Sequence, residues 1–257
     1  MTFVGACATP TCAETATCAR ADVGDEASLP ELPESPEADA SATICDSVDA
    51  NHAFCWDMSA YVDGGPDGFV ASTVTDDAGV AELSASRFQS APRAGRAVGD
   101  RFGPGLAYFQ MTSQRAWKHV RFSSSLFLDS KTRTAELMWV GFATQGVYLH
   151  WFSLVSDLKG FTVFEYWYEN DGILERTLEV PRPIPRDRWS RIAIDVELGA
   201  PGLIHVTLDG AEVASGVLGS ASPLRPAGVR ASAGIVSSSK GDHGPVFVDD
   251  MLLEEVP

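Results

Sequence analysis

Short apolar runs separated by clusters of glycine, proline, aspartate and serine fill residues 53–257. No stretch in this region keeps the 3.6-residue period of an amphipathic helix over several turns. Short apolar runs between turn residues are typical of a β-sandwich or barrel. The pattern predicts fourteen strands, near residues 53–60, 68–74, 79–88, 105–113, 118–129, 134–143, 147–155, 160–169, 174–180, 189–198, 203–208, 211–216, 228–237 and 245–254.

Two pairs of turn residues indicate how neighbouring strands connect. Asp209-Gly210 is a strong hairpin signal between two apolar runs, because both residues tolerate the positive φ of a tight turn. Gln145-Gly146 indicates a second hairpin. The surrounding segment, Ala135 to Val155, is so apolar that a transmembrane helix is an alternative interpretation. A hairpin explains the central Gln-Gly better.

The first fifty residues differ in composition from the rest of the chain. Residues 1–50 contain ten acidic residues and one basic residue, and residues 19–50 carry Pro30, Pro33 and Pro36 among Glu, Asp, Ala and Ser. Such a segment buries too little apolar surface to offset the entropy of ordering. We therefore expect a disordered acidic tether over 1–50 and one β-sandwich domain over 51–257.

The charge of the chain restricts its partners. The formal net charge is −16, which argues against nucleic acid, since affinity there comes mainly from neutralising phosphates. It argues equally against docking on anionic lipid. The one basic stretch, Arg87 to Arg121, fits either a solvated surface or a patch for an anionic glycan.

All five cysteines lie in the first 55 residues. Clustering in a polar segment indicates disulfides, and therefore an oxidising compartment. Cys12 with Cys18 and Cys45 with Cys55 are the predicted pairs. Zinc binding by these four is the competing interpretation, although the spacings are wider than those of structural zinc sites.

The remaining cysteine, Cys7, follows Val4-Gly5-Ala6. This context resembles the bacterial lipobox, in which the cysteine is lipidated. A signal peptide also needs a charged region and an apolar region, and Met1-Thr2-Phe3 supplies neither. Three interpretations stay open: the chain begins late, it was trimmed, or Cys7 is an ordinary thiol. Lipidation of Cys7 would make the protein an outer-membrane or cell-surface lipoprotein, with membrane contact only through that anchor.

Four segments resemble the concanavalin A-like and laminin-G-like jelly rolls, including those of tethered bacterial surface proteins. Phe54 to Met58 is similar to an opening strand of that family, and Trp189 to Val196 to its W-x-x-I/V-x-I/V-x-V strand. His205 to Gly210 resembles the V-x-L-D-G hairpin, and Val246 to Leu253 the closing F-x-D-D strand. The resemblance covers residues 53–257 and implies an all-β antiparallel sandwich. It carries much less information about activity.

Catalytic signatures of that fold are missing or altered. The E-x-D-x-x-E strand of β-glucan hydrolases, in which two carboxylates flank the scissile bond, does not occur. Arg133-Thr134-Ala135-Glu136-Leu137 is similar to the R-S/T-E-L segment of alginate lyases. It departs from that segment by an inserted alanine, which moves the glutamate to the other strand face.

The candidate site comes from the apolar hairpins over residues 134–169. If the loops have even lengths, cross-strand partners share a face. One face then carries Tyr148, His150, Glu165 and Trp167, with His150 opposite Glu165 and Tyr148 opposite Trp167. The set fits a structural pair among packing aromatics, a carbohydrate groove, or a catalytic pair. The other face carries Met138, Val140, Phe142, Leu149, Trp151, Phe164 and Tyr166.

These observations favour an exported, surface-tethered binding module that contacts carbohydrate or a cell-surface protein. The alternatives are a polysaccharide hydrolase or lyase and a structural surface protein without ligand. No cofactor is expected, although Asp249 or Asp250 could help to hold a calcium ion at the rim. Adjacent strand residues point to opposite faces, so only one of the two would aim at such a site.

Overall fold

A computed structural model of the chain describes residues 44–49, 52–63, 65–76, 79–90, 92–99, 105–144, 147–169, 172–199, 201–219, 226–237 and 244–256. Over these residues the chain forms fifteen strands in two antiparallel sheets, together with short 3₁₀ turns at Ile44–Ser47 and Pro66–Gly68. The predicted all-β antiparallel sandwich is confirmed. The predicted tether up to residue 43 lies outside the described residues.

The strands follow the chain in this order: β1 (Ala53–Trp56), β2 (Val70–Thr75), β3 (Val80–Ser84), β4 (Ala94–Val98), β5 (Ala107–Ser113), β6 (His119–Leu128), β7 (Ala135–Thr144), β8 (Val147–Ser156), β9 (Phe161–Glu169), β10 (Gly172–Val180), β11 (Trp189–Glu197), β12 (Leu203–Leu208), β13 (Ala211–Val217), β14 (Gly228–Ser237) and β15 (Val246–Glu255).

The two sheets exchange strands along the chain. Sheet A has the order β13-β12-β11-β6-β15-β4-β3, and β1 also pairs with β15. Sheet B has the order β10-β9-β8-β7-β14-β5-β2. Strands distant in sequence, such as β7 and β14 or β6 and β15, are neighbours in the sheets. The sandwich therefore depends on long-range pairing, while β7 to β10 form consecutive hairpins.

Side chains that alternate along the strands build the core between the sheets. In β5, Phe109 and Met111 are fully buried, while Tyr108 and Gln110 on the other face are half-buried. The same alternation in β9 turns Phe161 and Val163 inward. The two-residue period of a strand thus divides sheet B into an inner apolar face and an outer mixed face.

Most predicted strands are present, and β4 is the one that was missed. It is five residues long, contains a glycine and an arginine, and lies inside the basic stretch, so its apolar signal was weak. The hairpin at Asp209-Gly210 is confirmed: it joins β12 to β13, with φ of 52° and 79° at the two residues. Gln145-Gly146 lies outside the described residues, but β7 and β8 on either side are paired.

The Ala135 to Val155 segment forms the β7–β8 pair rather than a helix. Among the described residues, none of the helices has the length and apolarity needed to cross a membrane.

A disulfide joins Cys45 to Cys55 and confirms one predicted pair. It links the Ile44–Ser47 turn to β1, and the backbone N–H of Ala53 donates to the Asp49 carbonyl. Residues 44–49 of the predicted tether therefore pack as part of the β-domain. Cys7, Cys12 and Cys18 lie outside the described residues, so their lipidation and pairing stay predictions.

Candidate functional site

The four predicted site residues lie on β8 and β9 but do not share one face. His150, Glu165 and Trp167 point into the sandwich, and their exposed fractions are 1%, 5% and 8%. Tyr148 points to the outer face of sheet B, where it is half-buried against Trp139. The prediction that all four side chains share one face is therefore wrong, and their role in ligand binding stays a prediction.

The predicted cross-strand pairs are also wrong, because the register between β8 and β9 differs from the predicted one by two residues. His150 stands opposite Trp167, and Phe152 stands opposite Glu165. The cause is the turn between β8 and β9, in which the Asp157 side chain accepts hydrogen bonds from the N–H groups of Lys159 and Gly160. This turn sets Ser156 opposite Phe161. A register shift of two residues does not by itself change which face a side chain lies on, so His150, Glu165 and Trp167 still share a face.

His150 and Glu165 nevertheless meet diagonally, with 2.9 Å between Nε2 and Oε1. The N–H of Gly219 donates to both carboxylate oxygens of Glu165, at 3.0 and 2.9 Å. The imidazole packs 4.8 Å from the Phe152 ring. The arrangement is that of a buried hydrogen-bonded pair that also holds the backbone at Gly219. Ligand contact by His150, Glu165 and Trp167 stays a prediction.

A β-bulge explains why Tyr148 departs from the other three. The pairing of β7 with β8 passes from Phe142–His150 to Ala143–Tyr148, so Leu149 has no opposite residue. An extra residue in one strand reverses the facing of the side chains beyond it. Tyr148 therefore lies on the outer face, with its ring 5.1 Å from the Trp139 ring at an angle of 78°.

The outer side of β7, β8 and β9 carries a row of half-exposed rings, which we call the aromatic face. Trp151 stacks on Tyr166 at 5.3 Å, and Phe164 is nearly parallel to Tyr166 at 6.0 Å. Tyr168 extends the row beside Trp151 and is 49% exposed. The aromatic face consists of Trp139, Tyr148, Trp151, Phe164, Tyr166 and Tyr168.

Polar groups stand among these rings. Burial raises the pKa of Tyr108 and of Tyr148, and the positive charge of Arg230 offsets part of each shift. Burial also raises the pKa of the Glu136 carboxyl, and a hydrogen bond donated by Ser153 lowers it and so offsets part of this shift. At neutral pH the tyrosines are therefore protonated and can donate hydrogen bonds.

A cleft of about 530 Å³ opens beside the aromatic face. It lies between β5, β14 and the ends of β7 and β8, and Thr112, Gln114, Tyr148 and Arg230 are among its lining residues. Its volume is within the range of small-ligand sites. Tyr148 and Arg230 belong to both the cleft and the outer face, so the two form one continuous surface.

The Asp249–Asp250 pair anchors a loop. Asp249 accepts hydrogen bonds from the N–H groups of Gln89 and Ser90, both at 2.8 Å, and the Ser90 hydroxyl donates to Asp250. A bulge with Asp250 at a φ of 49° brings both carboxylates to the same hydroxyl, so the expectation that only one could aim at a site is wrong. Among the described residues, no three His, Cys, Asp or Glu side chains form a metal-binding group.

Several arginines of the basic stretch are engaged within the protein. Arg96 pairs with Glu82, Arg115 with Asp67, and Arg121 with Asp195 and Glu254. The guanidinium of Arg87 lies 3.8 Å from the centre of the Phe127 ring. The solvated-surface interpretation therefore fits this stretch better than a glycan patch.

Sequence analysis missed Trp139 and Arg230 as surface residues. Strict alternation puts Trp139 on the same face as His150 and Glu165, but a bulge between Glu136 and Met138 turns it to the outer face. Arg230 is a single cation in an apolar strand. That isolation was the available signal, because a charge in a buried strand must point outward or find a partner.

No protein-family model and no curated protein matches the chain. Solved structures with the same fold are found. The endo-β-1,4-glucuronan lyase of the fungus Trichoderma reesei is similar over 77% of this chain and 95% of its own, with a TM-score of 0.56 and 9% identity. Domain 4 of AbnA, an extracellular arabinanase of Geobacillus stearothermophilus solved in complex with arabinotriose, covers 79% and 91%, with a TM-score of 0.52 and 14% identity.

A third similar structure is the cellulose-induced protein Cip1, which covers 78% of this chain and 94% of its own, with a TM-score of 0.50 and 13% identity. At these identities the likeness establishes a shared β-sandwich fold. The class defined by the fold is therefore the jelly-roll type of sandwich that these carbohydrate-related proteins have in common. The finer resemblance to laminin-G-like domains stays a prediction.

Proposed function

We propose that this protein is an exported, surface-tethered module that binds carbohydrate through the aromatic face of sheet B. The observation that carries the proposal is a row of half-exposed rings on three adjacent strands, led by the stacked pair Trp151 and Tyr166. Sugar rings present apolar C–H faces that pack on aromatic surfaces, while their hydroxyls need polar partners. Binding sites generally combine apolar walls with a few polar groups.

The polar groups of the face suit this role. Tyr108 and Tyr148 are protonated at neutral pH, and burial raises the pKa of both further. Each therefore offers an O–H donor to a sugar hydroxyl. The arabinanase domain with the same fold was solved in complex with arabinotriose, which supports a sugar as the ligand class. The aromatic face could instead bind a cell-surface protein, which is the second class of partner.

Export is supported by the Cys45–Cys55 disulfide, because disulfides persist mainly in oxidising compartments. Cys7, with its lipobox-like context, would supply the anchor of an outer-membrane or cell-surface lipoprotein. Labelling with a radioactive or clickable fatty acid would test this part, in a bacterial host that expresses the chain behind the charged and apolar regions of a lipoprotein signal peptide. Lipidation that is absent in Cys7→Ser supports the anchor, and an unlabelled wild-type protein contradicts it.

A polysaccharide hydrolase or lyase is the second candidate, favoured by Glu136. Burial raises the pKa of this carboxyl, which lies beside the aromatic face, and an upward shift is the direction that suits a general acid. Release of new reducing ends or unsaturated products during incubation with polysaccharides would establish catalysis. Binding without product release favours the module.

The test of carbohydrate binding is retention of the full chain on a panel of immobilised polysaccharides, with Trp151→Ala as the variant. Losing one stacked ring costs about 1.5 kcal/mol, which corresponds to roughly a tenfold loss of affinity. The matched control is Trp189→Ala, which removes a partly buried tryptophan in sheet A that packs on Phe127. Equal losses in both variants, or no retention of the wild type on any polysaccharide, would contradict the proposal.

A further inference from the structure

Arg230 lies where the aromatic face meets the cleft. It is on β14, opposite Gly141 of β7 on one side and Thr112 of β5 on the other. Gly141 has no side chain, and the Trp139 ring lies in the space that a Cβ at this position would fill, so Trp139 adjoins the strand position opposite Arg230. The Arg230 guanidinium carbon stands 4.6 Å from the centre of the Tyr148 ring, so the cation is held against an aromatic wall.

The charge of Arg230 has no carboxylate partner among the described residues, in contrast to Arg96, Arg115 and Arg121, which all pair with acids. Its Nε atom is buried and makes no hydrogen bond within the described part of the chain. Glu136 lies on the same side of sheet B, but its carboxyl forms a hydrogen bond with Ser153 and no ion pair with Arg230. The ring of Tyr148 compensates only part of the cost of burying a cation.

A buried donor that lacks a partner costs free energy. Arg230 also lines the cleft, so an anion that enters the cleft could accept hydrogen bonds from its guanidinium. A guanidinium presents its donors as a planar fork that matches a carboxylate with two parallel hydrogen bonds. Among carbohydrates, uronic acids carry such a carboxylate on carbon 6. The adjoining rings of Trp139 and Tyr148 supply the apolar surface on which the same or the next sugar can pack.

We propose that the ligand is an acidic polysaccharide, and that Arg230 binds the carboxylate of a uronic acid residue at the junction of the aromatic face and the cleft. This inference rests on the proposed carbohydrate-binding function and names the class of sugar. The net charge of −16 repels a polyanion at long range. At 0.15 M salt that repulsion is screened beyond about 8 Å, so contacts at Arg230 decide the preference.

The test compares matched neutral and acidic probes on the full chain at 0.15 M salt. Soluble cello-oligosaccharides are paired with their carbon-6 carboxylates, methyl-esterified galacturonan with its de-esterified form, and mannan with mannuronan. Titration calorimetry gives each affinity. We expect the acidic member of at least one pair to bind roughly tenfold to a hundredfold more tightly, the range for a charged hydrogen-bonded contact.

Three variants assign the preference to its source. Arg230→Gln should lower the affinity for the acidic member to that for the neutral member, and Arg230→Lys should keep part of the preference because it keeps the charge without the fork. Arg182→Gln, an exposed arginine in the β10–β11 connection, removes the same charge elsewhere and should change nothing. Circular dichroism and thermal melting check that each variant is folded.

Each remaining outcome decides against one proposal or both. Equal affinity for the two members of every pair, or an acidic preference that survives Arg230→Gln, overturns the uronate assignment but leaves carbohydrate binding intact. A cellulose sulfate of similar charge that binds as tightly as the carboxylate overturns the assignment to carboxylate. Binding of no probe, acidic or neutral, overturns the proposed function as well.

Discussion

Replacing Glu165 separates a structural role for the buried pair from a role in binding. In Glu165→Ala, His150 loses the partner of its Nε2, while its Nδ1 already lacks one among the described residues. The N–H of Gly219 loses its acceptor as well. Each buried hydrogen-bonding group that is left without its partner costs about 1–3 kcal/mol, so the two lost contacts together cost about 2–6 kcal/mol. Domains have roughly 5–15 kcal/mol of stability, so the variant should fold but unfold at lower denaturant.

Glu165→Gln is the gentler change. The amide oxygen can still accept from Gly219, while the NH2 group that replaces the second oxygen cannot accept a hydrogen bond. We expect a cost of about 1 kcal/mol, the typical contribution of one hydrogen bond. Glu179→Gln is the matched control, because Glu179 is exposed on the adjacent strand β10, and a surface change of this kind stays within about 0.5 kcal/mol.

Urea unfolding of the oxidised full chain measures these costs as shifts of the midpoint at constant slope. Polysaccharide affinity is measured in parallel, below the onset of unfolding. Both Glu165 variants should bind as the wild type does, since Glu165 faces the interior. A cost below about 1 kcal/mol in Glu165→Ala would refute the structural role. If folded Glu165→Gln loses affinity, the binding site includes the residues predicted from the sequence, Tyr148, His150, Glu165 and Trp167, rather than the aromatic face alone.

Two further perturbations test the frame of the domain. Reducing Cys45–Cys55, or changing both to serine, should lower the free energy of unfolding by about 3 kcal/mol, from the chain entropy of an eleven-residue loop; an unchanged urea midpoint would contradict this. Burial raises the pKa of Asp249 to about 7, so the folded state holds a proton that the unfolded state releases near pH 4. Stability contributed by this group therefore falls as pH rises from about 4 to 7. Between pH 5 and 7 the wild type should lose about 2 kcal/mol relative to Asp249→Asn, and parallel unfolding profiles of the two proteins would refute the assignment.

The strand pattern was predictable because alternation and turn chemistry are local properties. Asp209-Gly210 fixes its own hairpin, and β5 shows its inner and outer residues by simple alternation. The two-residue period also predicted correctly that His150 and Glu165 lie on the same face of the sheet. The sequence could not show which face is buried, because both faces of β7 to β9 are rich in apolar and aromatic side chains.

The candidate site depended on bulges, which alternation cannot reveal. One extra residue at Leu149 sends Tyr148 outward, and another bulge, between Glu136 and Met138, turns Trp139 outward. The bulge at Asp250 brings two adjacent carboxylates to the same loop. Arg230 joins these residues through the pairing of β14 with β7, a contact between segments about ninety residues apart. No local pattern encodes such a contact.

The pairing of β1 with β15 places the two ends of the sandwich side by side, with Ala53 opposite Glu254. Domains whose ends lie close together tolerate insertion into a host loop and circular permutation. Both strands belong to sheet A, whereas the aromatic face is the outer surface of sheet B. A fusion partner, a dye or a solid support could therefore be attached at either end of the sandwich on the sheet that does not carry the aromatic face.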